Sequence, residues 1–284
     1  MQDYLEAIVL GLIQGLTEFL PISSSAHLRI FPDLFGWGDP GAAFTAIIQI
    51  GTEVAVLLYF AKDIWRIASA WLRSLVQPAW RGHQDARMGW YVIIGSLPIV
   101  VLGVLLKDVI EKDFRSLWII GTTLIVLGIV LGIADRVGRT ERTTESLTLP
   151  HAVLYGAAQA LALIPGVSRS GATISMGRFL GYDREAATRF AFLLAIPAVI
   201  GAGVFELLDV LQCDGSSTDT CANAYGGGPT LVATIVSFVV GYSVIAWLLR
   251  YVTTHSYTPF VVYRIALGAA TLLLAWAGVL TVGG

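Results

Sequence analysis

Two polar islands interrupt an otherwise oily chain. The first runs Gln14-Gly-Leu-Thr-Glu18-Phe-Leu-Pro21-Ile-Ser23-Ser24-Ser25-Ala-His27, and the second Pro165-Gly166-Val-Ser168-Arg169-Ser170-Gly171-Ala-Thr173. Together they hold a carboxylate, several hydroxyls, an imidazole and a guanidinium. That is the set of groups an anionic phosphate ester needs for binding and attack. Ionisable residues within a membrane segment are costly and mark a functional site by default. Gln14 and Glu18 are one helical turn apart and share a face. Pro21 ends the arm they sit on, and a Ser before Ala-His-Leu can cap the returning arm, leaving N–H groups at the tip. In the second island Pro165-Gly166 stops one arm and Ser168-Arg169-Ser170-Gly171 starts the next. A helix start is an anion site, and Arg adds a planar clamp. The second island is therefore expected to hold phosphate and the first to carry the reacting groups.

The elements that must position these islands are membrane helices. Hydrophobic residues make up 56% of the 284 residues and charged ones 13%, against roughly 25% charged in a soluble domain. Mean hydropathy is +0.74. The net charge of −2 points to no class of partner, and no nucleic-acid partner is expected. Asp3 and Glu6 stand where a secretory signal would be basic, so none is expected. Six stretches have the length of full spans, about 41–61, 89–106, 116–134, 186–205, 230–249 and 263–282, a hydrocarbon core needing about 20 residues of helix. Two more, about 4–31 and 150–180, are broken by Pro and by Ser/Gly clusters. Broken helices at membrane depth persist only where protein or a watery cavity covers the freed backbone. Both are expected to be re-entrant hairpins whose tips meet.

Basic residues set the orientation. Lys62, Arg66, Arg73, Arg81 and Arg87 in a loop over 62–87, Arg136, Arg139 and Arg142, then Arg178, Arg184, Arg189, Arg250 and Arg264 are assigned to the cytoplasmic side. Arg29, Lys107, Lys112 and Arg115 fall outside, with the acidic loop 206–229. Each half is then one hairpin plus three spans, and three being odd, the halves point oppositely. The expectation is an all-α, polytopic membrane protein of one domain, 1–284, with an inverted repeat of about 1–149 and 150–284. At a shift of 145, Gly11, Gln14, Leu16, Ser23 and Ser25 fall on Gly156, Gln159, Leu161, Ser168 and Ser170. Inverted repeats with discontinuous helices are also a transporter architecture, so a polyprenyl-phosphate transporter stands as the rival reading. Cys213 and Cys221, in the outer loop, are expected to form a disulfide. Glu53, mid-span, either supplies a second carboxylate or faces Arg178 or a cavity. The tryptophans near span ends fit an interfacial belt.

The two islands, with Ile48-Gln-Ile-Gly51, Phe192-Leu-Leu-Ala-Ile-Pro197 and Pro259-Phe-Val-Val-Tyr-Arg264, resemble the undecaprenyl-diphosphate phosphatase family, the integral-membrane family associated with bacitracin resistance. The resemblance spans nearly the whole chain. It implies an inverted-repeat helical fold in the bacterial plasma membrane. It also implies removal of the terminal phosphate of undecaprenyl diphosphate, recycling the carrier for cell-wall synthesis, at a site open to the outer face. A polyprenyl diphosphate lipid is then the substrate, and a divalent cation, Mg2+ or Ca2+, the cofactor. Glu18, Ser24, His27, Ser168, Arg169 and Thr173 carry over as site positions. At position 14 the family shows Glu or Gln, and this chain has Gln.

The residues then fall into roles. Ser23, Ser168, Ser170, Thr173 and Gln14 are expected to bind substrate beside the Arg169 clamp, and Glu18 to bind the cation. Ser24 is the expected nucleophile, with His27 as proton shuttle one helical turn away. Attack by His27 or directly by water stays open, as does a homo-oligomer.

Overall fold

The computed structural model describes residues 1–106, 116–211 and 223–280, with backbone alone at 42, 202 and 204–211. Eleven α-helices lie among them: α1 Gln2–Thr17, α2 Ser24–Phe35, α3 Ala42–Tyr59, α4 Ala61–Val76, α5 Gln84–Leu105, α6 Leu117–Val137, α7 Leu149–Ala160, α8 Arg169–Phe179, α9 Arg184–Leu211, α10 Gly227–Tyr251 and α11 Thr258–Trp276. The described residues contain no β-strand beyond an isolated bridge of Arg142 with Tyr182. Helices α5, α6, α10 and α11 are each long and apolar enough to cross a membrane, and α3 with α4 passes as a pair bent by 69°. The chain is thus a polytopic, all-α membrane protein.

The interrupted segments fold as the breaks dictate. Chain 1–35 is α1, a turn over 18–23, and α2. Chain 149–179 is α7, a 3-10 turn at Leu161–Leu163, a loop, and α8. Element bounds keep the same 145-residue offset seen in the motifs: α2 opens at Ser24 and α8 at Arg169, α5 matches α10 to within two residues at each end, and α3 and α6 start within four residues of α9 and α11 but end six or seven residues away. Close helix packing follows small residues. α1 meets α10 where Gly11 and Gly15 face the backbone at Ala233 and Ser237, and α5 meets α7 where Gly95 and Gly156 face each other. A β-carbon at any of these glycines would collide with its neighbour, as expected of small-residue contacts between membrane helices.

Three expectations are corrected. Residues 62–87 are largely helix: α4 continues from α3 after the bend and ends at Val76. Its buried residues, Ile67, Ala70 and Ser74, recur at helical spacing while Trp65, Leu72 and Val76 are exposed. Arg178 is not a linker residue, since it lies inside α8, nor does it face Glu53. It is buried and donates to the carbonyls of Asp135, Gly138 and Arg139 at 3.3, 2.8 and 3.1 Å. Asp135 completes that knot by accepting from Arg184 Nε at 2.6 Å and from the Tyr257 amide at 3.0 Å. Arg264 is not a flanking loop residue either. It is wholly buried beside the hairpin turns. The Cys213–Cys221 pairing lies outside the described residues, as do Lys107, Lys112 and Arg115.

Candidate active site

The two turns are joined tip to tip. Ser170 Oγ donates to the Leu20 carbonyl at 3.0 Å, the Gly166 amide donates to Ser25 Oγ at 3.4 Å, and Arg169 Nη2 meets Glu18 Oε1 at 2.6 Å. Breaking a helix inside a membrane frees carbonyls that must find donors. Arg264 on α11 meets that need, reaching Pro21 O at 3.1 Å, Gly166 O at 2.9 Å and Val167 O at 3.0 Å. Its Nε turns to Leu124 O on α6 at 3.3 Å. Thr123 on α6 donates to Pro165 O at 2.8 Å. One buried guanidinium thus fixes both turns at once, since its fork can serve several acceptors in one plane. Sequence reasoning missed this role. The signal was there as an Arg within an apolar helix, one residue after Tyr263.

Each returning helix starts the same way. Ser23 caps α2, its Oγ accepting from the Ala26 amide at 3.4 Å, and Ser168 caps α8, accepting from the Gly171 amide at 3.2 Å. Each cap hydroxyl also lies 3.1 Å from the serine two residues on, Ser25 and Ser170. Both caps have positive φ, 75° and 66°, and they are the only non-glycine residues with positive φ among those described. Such conformations cost of order 1–3 kcal/mol and gather at functional sites. The strain here aims two helix N-termini at one point. The amides of Ser24, Ser25, Arg169 and Ser170 find no partner among the described residues, so the tips present N–H groups to a ligand.

Glu18 is the hub between the tips. Its Oε1 takes Arg169, and its Oε2 accepts from Ser24 Oγ at 2.7 Å and from Gln14 Nε2 at 3.2 Å. Gln14 is buried and also donates to Thr52 Oγ1 on α3 at 3.2 Å. Arg169 uses one nitrogen on Glu18, and its remaining N–H groups make no hydrogen bond among the described residues. Ser24 and Arg169 keep partial exposure while Ser23, Ser168 and Ser170 are buried. Glu18, Arg169 and Ser170 line a narrow cleft of about 10 Å³ with Phe19, Val56, Ala191, Phe192, Ala195 and Val199. Its other walls are apolar, and its charged groups sit together.

The expected pairing of His27 with Ser24 does not form. His27 is 2% exposed. Its Nδ1 donates to Ser23 O at 2.6 Å, and its Nε2 is 2.7 Å from Tyr263 OH. A carbonyl only accepts, so Nδ1 carries the proton and in the neutral ring Nε2 accepts from the tyrosine. Stacking between Phe31 and Tyr263 fixes the ring plane. The group on the Ser24 hydroxyl is Glu18. Thr173 also differs from its expected role, because its hydroxyl donates to Arg169 O at 2.8 Å within its own helix and is buried. The structure therefore brings together Gln14, Glu18, Ser24, Arg169 and Ser170, uses Ser23 and Ser168 as caps, and sets His27 and Thr173 behind them.

Known proteins match this sequence along nearly its whole length. An undecaprenyl-diphosphatase of Nocardioides sp. is 74% identical over 280 residues, covering 99% of both chains. An undecaprenyl-diphosphatase of Micrococcus luteus is 56% identical, covering 98% of this chain and 99% of its own. Undecaprenyl-diphosphatase 2 of Streptomyces coelicolor is 55% identical, covering 98% and 97%. The family model described as bacitracin resistance protein BacA matches residues 7–270, an interval that contains both turns and every residue of the hub. The chain therefore belongs to the bacitracin resistance protein BacA family.

Proposed function

We propose that this protein hydrolyses undecaprenyl diphosphate to undecaprenyl phosphate and inorganic phosphate, returning the lipid carrier to cell-wall synthesis and so conferring bacitracin resistance. The observation that supports it most directly is the Glu18 hub. One carboxylate holds both a serine hydroxyl at 2.7 Å and a guanidinium at 2.6 Å at the meeting point of two helix N-termini. That places a nucleophile, a base and an anion clamp within one another's reach.

In this reading the prenyl tail lies along the apolar wall and the diphosphate enters between the tips. Its oxygens take the unused N–H groups of Arg169 and the amides opening α2 and α8. Drawing Arg169 toward phosphate releases Glu18 to accept the Ser24 proton. Ser24 Oγ then forms a bond to the terminal phosphorus as the bond from that phosphorus to the bridging oxygen breaks, and the lipid monophosphate departs. Glu18 passes that proton to the departing lipid monophosphate, then takes one from water as the water attacks the phosphoserine, and returns it to Ser24 Oγ as the bond from phosphorus to that oxygen breaks and phosphate is freed. Ser23, Ser168 and His27 hold the turn geometry. Among the described residues there is no cluster of three His, Cys, Asp or Glu, so the donor set suits a hard cation that keeps waters and leans on one or two carboxylates plus substrate phosphate. Glu18 would hold that cation, which would supply neutralisation of the diphosphate charge.

The distribution of basic residues supports a site open toward the outer face of the plasma membrane, and the shared 145-residue offset supports an inverted repeat of about 1–149 and 150–284. The test is phosphate release by purified protein in detergent from a C55 diphosphate, with and without chelator. Release that chelator stops and added Mg2+ or Ca2+ restores is the expected result. A transporter needs two sealed compartments, so absence of release in detergent would favour that rival.

Arg169→Lys tests the clamp. Lysine keeps the charge but loses the planar fork, and it cannot hold two phosphate oxygens in one plane. Turnover falls at least about tenfold, equivalent to roughly 1.4 kcal/mol of barrier. A lysine variant with wild-type turnover removes Arg169 from this role.

A further inference from the structure

Glu53 is a charge the proposed steps do not use. It lies on α3 with 8% exposure, inside an apolar helix where a carboxylate needs a reason. Its Oε1 accepts from Gln49 Nε2, one turn earlier, at 3.3 Å. Its Oε2 accepts from no described residue. That oxygen points across at Gly203 on α9, where any β-carbon would collide with it, so the glycine leaves a notch for the carboxylate. Val56 lies one turn after Glu53, and Val199 one turn before Gly203. Both valines line the groove that holds Glu18 and Arg169, so the notch continues that groove along α3 and α9. Glu53 is within electrostatic reach of both Glu18 and Arg169. Its neighbour Thr52 is tied through Gln14 to Glu18.

The charge balance of this groove is uneven. Glu18 and Arg169 line it, and Glu53 lies beside it within reach of both, while Arg264 spends its N–H groups on the carbonyls of the turns and Leu124. Gln14 brings an amide to Glu18, not a second carboxylate. We infer that Glu53 is the second carboxylate of the site, a cation-binding residue that shares with Glu18 the divalent ion arriving with the diphosphate. With glutamine at position 14, α3 supplies the negative charge that α1 does not. The inference rests on reading the site as a diphosphate-hydrolysing centre.

The probe is Mn2+, with free ion counted by electron paramagnetic resonance on full-length protein in detergent. Glu53→Gln, which keeps size and the Gln49 neighbour, weakens Mn2+ binding at least about tenfold, and adding Gln14→Glu to that variant recovers it to within about threefold of wild type. Recovery by a carboxylate moved to another helix is what a purely structural contact of Glu53 with α9 would not give. Equal Mn2+ affinity in wild type and Glu53→Gln, or a loss that Gln14→Glu leaves untouched in a variant of normal melting temperature, overturns the inference. Either result leaves the hydrolase reading to its own test, phosphate release by the wild-type protein.

Discussion

Ser24→Ala lowers phosphate release from C55 diphosphate by roughly a thousandfold or more while substrate binding survives. Ser24 is the serine of the first tip whose hydroxyl lies on a carboxylate, 2.7 Å from Glu18 Oε2. A carboxylate can only accept, so the Ser24 proton already points at the group that would remove it. Removing the hydroxyl takes away the attacking atom but leaves Arg169 and the helix-start amides that hold phosphate. The neighbours give the contrast. Ser23→Ala removes a cap and costs about 1 kcal/mol of stability but leaves the Ser24–Glu18 pair. Ser25 is exposed and reaches Ser23 and the Gly166 amide, so Ser25→Ala loosens the tips without touching the reacting pair. Phosphate release assays on the three variants check the order. Substantial turnover by Ser24→Ala would defeat covalent catalysis there. Water activated by Glu18 would then be preferred to His27, whose two ring nitrogens are both engaged.

What could be read in the sequence and what could not follow from range. The two breaks were legible because Pro21 and Pro165-Gly166 act on their own backbones, and a break at membrane depth has few solutions. Arg169 and Glu18 were legible because charges there are too costly to be idle. Partners set by rotation about a helix axis were not. Spacing put residues 24 and 27 on one face, but Ser23 in its positive-φ cap turns the start of α2 so that Ser24 faces Glu18 and His27 faces Tyr263, 236 residues away. Arg264 and Arg178 were misplaced for a related reason. Counting basic residues near span ends assumes a solvated side chain, and both arginines serve backbone carbonyls that broken or ended helices leave unpaired. The amphipathic α4 was hidden because its charges made the segment resemble a loop, although Ile67, Ala70 and Ser74 keep helical spacing.

Glu18→Gln lowers turnover by roughly a hundredfold or more, the range expected for removing a general base. The substitution is close to isosteric, and the hub shows why it fails. Glu18 accepts on both oxygens, from Arg169 on one and from Ser24 and Gln14 on the other. Glutamine has one accepting end. If its oxygen faces Arg169, its amide donors face Ser24 and Gln14. If the oxygen faces Ser24, two donors meet at Arg169. Neither orientation keeps the Ser24 proton on an acceptor and Arg169 in place together. Double-mutant kinetics separate a base acting through Ser24 from a general electrostatic effect. If Glu18 works by taking the Ser24 proton, Glu18→Gln adds little once Ser24 is alanine, because the proton it would accept is gone. Losses that multiply in the double variant would mean that Glu18 acts independently of the hydroxyl it now holds, through the cation or the clamp, and the assignment of Glu18 as the base for Ser24 would be withdrawn.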